Sequence, residues 1–107
     1  MALTEIGMKR IAVDGLPQDP LAAAGAFHQH WLEQVEQVLE GGEDALILVP
    51  PADHTHRQWR LAMVAGLARK YAPCRINMVA GDGGEAVDAT ETYLAAAPGI
   101  TGQYLET

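Results

Sequence analysis

Asp53-His54-Thr55-His56 places three side chains that bind metals or carry protons within four residues, and Arg60 follows His56 at helical spacing. Neutral imidazoles with a carboxylate make a zinc set, and a histidine titrating near neutrality is a common acid or base. His28 and His30 add two imidazoles, but residues two apart on a helix face different ways and do not chelate together. The Asp-His-Thr order suits a helix N-cap at a strand-to-helix turn equally well. The expectation is that no metal is bound, and that His56 and Arg60 stand one turn apart on a helix surface.

Charge narrows the partners. Fourteen acidic residues against seven basic ones give a net charge of -7. Nucleic-acid binding rests on Lys and Arg neutralising phosphates, and anionic membranes make the same demand. No basic run overrides the global sign, so neither nucleic acid nor a membrane is expected as a partner. No stretch approaches the roughly 18 apolar residues of a membrane span, and residues 1–18 lack the apolar core of a signal peptide. The lone cysteine, Cys74, cannot close an intramolecular disulfide and reads as a small core residue in a reducing compartment. A cytoplasmic location is expected.

The elements that must position these residues follow from pattern. The chain has 107 residues, 49% of them hydrophobic, enough for one packed domain over 1–107. Lys9–Val13 reads as a strand closed by Asp14-Gly15 and Pro17. Asp19-Pro20 opens a helix that the spacing of Leu21, Ala24, His28, Trp31, Leu32, Val35, Val38 and Leu39 carries to Gly41-Gly42. Asp44–Val49 is a continuous apolar run, the mark of a strand covered on both faces. A second helix is predicted over 55–71, a third strand over 75–80, a third helix over 85–96 and a last strand near 103–106. This alternation predicts an α/β fold of three layers: a four-stranded parallel sheet with three helices, half of a Rossmann-like doubly wound fold. The first strand then lies at a sheet edge, guarded by Lys9 and Arg10.

Gly66-Leu67-Ala68-Arg69, Arg75-Ile76-Asn77, Tyr93-Leu94-Ala95 and Ile100-Thr101-Gly102-Gln103 stand in an order and spacing that resemble the closing half of a short-chain dehydrogenase/reductase. Gly25-Ala26-Phe27 resembles, more loosely, part of the helix that supplies that family's catalytic Asn. The resemblance covers about residues 8–107 and begins at the family's fourth strand. The family's Gly-x-x-x-Gly-x-Gly turn, which cradles the cofactor pyrophosphate, has no counterpart; Gly81-Asp82-Gly83-Gly84 sits where the family has Pro-Gly. The resemblance also locates the catalytic positions. Counting from Gly66 puts Arg57 at the Tyr position and Leu61 at the Lys position, and a one-residue shift gives His56 and Arg60. The Ser position falls at Pro50 or Pro51, and the Asn position near Ala22. None of these can take over the family's proton transfer as arginine, leucine, proline or alanine, and a His56-x-x-x-Arg60 replacement would have no hydride to accompany. No catalytic residue and no cofactor are therefore expected.

Two functions compete. The helices over 20–40 and 55–71 resemble those that form a four-helix interface between subunits in the family. The second helix is apolar nearly all round, from Trp59 to Ala68, and such a helix needs cover on both sides. The first reading is thus a non-catalytic association module, a homodimer or a partner docked on a full-length reductase, with Trp31, Trp59, Met63 and Leu67 as candidate interface residues. The second is a small-ligand binder or divergent enzyme using the rim at the carboxyl ends of the strands. That rim presents Asp14, Gly15, Pro50, Asp53, His54, His56, Gly81 and Asp82.

Overall fold

The computed structural model describes residues 8–107. Strands β1 (Met8–Ala12), β2 (Asp44–Val49), β3 (Ile76–Ala80) and β4 (Tyr104–Glu106) form one sheet in the order β1-β2-β3-β4, every neighbouring pair parallel. Helices α1 (Pro20–His30), α2 (Leu32–Glu40), α3 (Arg57–Lys70) and α4 (Gly84–Ala95) connect them, with a short 3-10 turn over His54–His56 ahead of α3. The predicted parallel α/β sheet is present, and β1 is an edge strand. Among the described residues no helix is long and apolar enough to cross a membrane.

The helix count differs from the expected three because residues 20–40 form two helices, broken at Trp31 (φ -122°, ψ -28°). Ala23 and Phe27 are buried on α1, Val35 and Leu39 on α2. These positions, with Trp31 between them, recur every four residues. In an unbroken helix such a row drifts about 40° per step, about 160° from first to last, and would carry Leu39 away from the sheet. The break resets the phase.

Two apolar layers flank the sheet. Phe27, Val35, Leu39, Val64 and Leu67 pack on Ile47 and Met78 from one side, so α1, α2 and α3 share that face. Leu94 of α4 packs on Leu46 and Val79 from the other. Strand order advances in one direction while α4 crosses on the opposite face, so the connection β3-α4-β4 has the opposite hand to the two before it. Cover on both faces accounts for the continuous apolar reading of β2 and for β3, buried at every position.

The last strand is fastened by side chains. Asn77, fully buried, donates from Nδ2 to the Ile100 carbonyl at 3.1 Å and accepts the Gln103 amide at 3.0 Å. The Ile76 amide donates to Thr101 Oγ1 at 3.0 Å. Arg75 donates from Nη1 to the carbonyls of Leu94 and Ala97, closing the end of α4. Gly102 holds φ +75°, and a Cβ there would stand 3.1 Å from Ala68 Cβ. Arg75-Ile76-Asn77 and Ile100–Gln103 therefore interlock as architecture.

Candidate functional site

The carboxyl ends of β1 and β2 open into a cavity of about 570 Å³ between the β1–α1 loop and the turn before α3. Leu16, Pro17, Pro50, Pro51 and Ala52 give it an apolar wall, and Gln18, Asp19, Asp53, His56 and Arg60 the polar groups. Both acids are caps. Asp19 accepts the Ala22 amide at 2.9 Å and starts α1 as predicted. Asp53 accepts the Thr55 amide at 3.0 Å and the Thr55 hydroxyl. The Thr55 hydroxyl, then its amide, holds the Asp53 carboxyl below the ordinary carboxylate range.

His56 and Arg60 are buried, 6% and 2% exposed, which overturns their reading as a surface pair. His56 Nε2 lies 2.8 Å from the Gln18 carbonyl, while Nδ1 accepts the indole N–H of Trp59 at 3.0 Å. The ring pins the β1–α1 loop to α3. Arg60 Nη1 donates to the Pro50 carbonyl at 2.9 Å and to Tyr104 Oη at 3.1 Å. The signal for this burial was in the chain: Arg60, Val64 and Leu67 stand at i, i+4 and i+7, one core-facing stripe.

The other rim residues disperse. His54 and Arg57 line a smaller recess of about 250 Å³ with Glu106, and Arg57 pairs with Glu106 at 3.3 Å. Gly81 and Asp82 face a third recess, with Val13 and Pro50. Asp14 is exposed and lines none of the three. Among the described residues no group of three His, Cys, Asp or Glu side chains gathers to hold a metal. Of the two registers for the catalytic positions, only His56 and Arg60 bring both side chains to the main cavity; Leu61 is 43% exposed.

A second concavity lies on the helical side. An apolar groove of about 440 Å³ runs between α1–α2 and α3, lined by Ala24, Leu32, Trp59, Ala62, Met63 and Gly66 among others. Trp59 is half-buried, its ring 5.8 Å from that of Phe27. Trp31 is half-buried against the core and does not line the groove, and Leu67 is only 5% exposed. The large exposed apolar side chains of these helices are Leu21 (83%) and Leu61, neither of them in the candidate interface set. One end of the groove is closed by Glu36, which accepts from Lys70 Nζ and Tyr71 Oη, each at 2.8 Å. Those bonds, Lys70 first, hold the Glu36 carboxyl below its ordinary range.

Sheet order, helix placement and the strand-end cavity define a Rossmann-like α/β domain. A family model for short chain dehydrogenase-like proteins (SDR-like) matches residues 11–107, and the chain belongs to that family. It matches no curated protein and no solved structure.

Proposed function

We propose that the chain is a non-catalytic association module of its family that dimerises through the face formed by α1 and α3. The observation that carries this reading is the apolar groove between the two helices, with Leu21 and Leu61 exposed on the same helices. Gly25 and Gly66 support it. Both lie inside helices, where glycine costs about 1 kcal/mol relative to alanine, and a Cβ at either would meet nothing within 4 Å. Packing within one chain does not require them. A helix of another chain, approaching closely, would.

One apolar patch meeting its own copy closes as a two-fold contact, which favours association between copies of this chain over a docked reductase. The non-catalytic part of the reading is supported by the residues at the catalytic positions. Arginine and proline offer no proton at neutral pH, and both nitrogens of His56 are already engaged.

Ala62→Glu places a charge on the exposed lining of the groove without touching the core. Light scattering is expected to show a wild-type dimer and a monomeric, folded variant. A variant that stays dimeric places the contact elsewhere. A wild-type monomer that associates only with a full-length reductase transfers the face to a heteromeric partner.

A further inference from the structure

Residues Asp14 to Gln18, in the β1–α1 loop, are tied to the body of the domain by a single hydrogen bond among the described residues. The partner is His56, whose Nε2 lies 2.8 Å from the Gln18 carbonyl. Leu16 adds apolar packing against the core, while Asp14, Gly15, Pro17 and Gln18 are exposed. The same imidazole holds α3. Its Nδ1 accepts the indole N–H of Trp59 at 3.0 Å, and the residue is only 6% exposed, so water has little access to either bond.

One ring, acting as donor on one side and acceptor on the other, thus joins the loop to the helix. Only a neutral imidazole can fill both roles. A protonated ring carries two N–H donors and no acceptor, in any orientation. Proton uptake therefore breaks the Trp59 bond whichever way the ring turns, and leaves two N–H groups facing each other unless something moves. Imidazoles change charge between about pH 8 and 5. The surroundings admit the proton. Asp19 stands on the loop side, and on the ring's own turn Asp53, kept charged by Thr55, attracts a protonated His56. From α3 the buried guanidinium of Arg60 opposes them. The neighbouring His54 and Arg57 are exposed, and Arg57 is paired with Glu106.

We propose that His56 is a proton-sensitive latch: neutral, it fixes Trp59 and the β1–α1 loop on one ring; protonated, it releases the indole, and the loop shifts with the displaced ring. The release reaches a second surface, because Trp59 also lines the groove between α1–α2 and α3. The latch is a property of the single chain and does not depend on that groove being an association face.

The test follows the purified protein by NMR from about pH 8 to 5, with circular dichroism to establish that it stays folded. The Trp59 indole, the amides of Leu16 and Gln18 and the ring nitrogens of His56 are expected to change with one shared midpoint. Protection of the indole N–H from solvent exchange, corrected for the intrinsic effect of pH, should fall about tenfold or more across it. His56→Gln supplies a neutral donor and acceptor that does not titrate, and should abolish the transition at Trp59 and in the loop. A His56 ring that stays neutral over this range overturns the proposal. So do Trp59 and loop signals that ignore the His56 midpoint, or the same transition in the folded His56→Gln variant. If that variant is unfolded, the shared or separate midpoints of the wild type decide alone.

Discussion

The indole N–H of Trp59 donates to Nδ1 of His56 at 3.0 Å, and this bond decides which imidazole nitrogen carries the proton. Nδ1, as acceptor, holds the lone pair. Nε2 faces the Gln18 carbonyl at 2.8 Å, and only a donor satisfies a carbonyl. His56 is therefore the neutral Nε2–H tautomer, clamped between α3 and the β1–α1 loop.

Trp59→Phe keeps the ring contact with Phe27 and removes the donor. Stability should fall by about 1–3 kcal/mol, from one lost hydrogen bond, an unpaired imidazole nitrogen and reduced apolar contact. Urea denaturation measures the loss. Imidazole nitrogen NMR should show the Nε2–H form in both proteins, because the Gln18 carbonyl still requires a donor in the variant.

Asn77→Leu fills the same space but orphans the Ile100 carbonyl and the Gln103 amide at the entry to β4. A loss of about 2–4 kcal/mol is expected. Gly102→Ala should cost about 1–3 kcal/mol, because it forces a side chain into positive φ and against Ala68. Denaturant melts of the two variants check both values.

Acid stability should depend on Glu36. Lys70 and Tyr71 hold its folded carboxyl below the value it has in an unfolded chain. Its contribution is thus complete above that unfolded value and is lost as pH falls through the depressed folded one. Glu36→Gln should be less stable than the wild type at neutral pH and should lose less on acidification. Thermal melts across the carboxylate range test the sign: a wild type no more acid-sensitive than the variant contradicts it.

Titration with a nicotinamide dinucleotide should leave the Trp fluorescence unchanged. Saturable micromolar quenching would contradict the non-catalytic reading, because Trp59 adjoins the strand-end cavity through His56 and Arg60.

Much of this fold can be read from single residues whose local chemistry admits one conformation. Asp19-Pro20 starts a helix because a carboxylate caps the free amides and proline needs no partner there. Gly42 ends α2 at φ +89°, and the apolar run Asp44–Val49 has no polar face to expose. What escapes such reading depends on neighbours distant in sequence. The break at Trp31 follows from a core that demands Phe27 and Leu39 on the same face. The charge of Arg60 predicts a surface position, whereas Pro50 and Tyr104 supply the acceptors that keep it buried. Trp59 lines the groove and Trp31 does not, while the exposed apolar positions of α1 and α3 are Leu21, Ala22, Gly25, Leu61 and Ala62.

Association through that surface is the central claim, and sedimentation equilibrium of the unmodified chain tests it most directly. The claim predicts a species of about twice the 11.4 kDa chain mass, dissociating in the micromolar range or below, as a standard-size interface allows. A mass of 11.4 kDa at every concentration up to about 1 mM would contradict it.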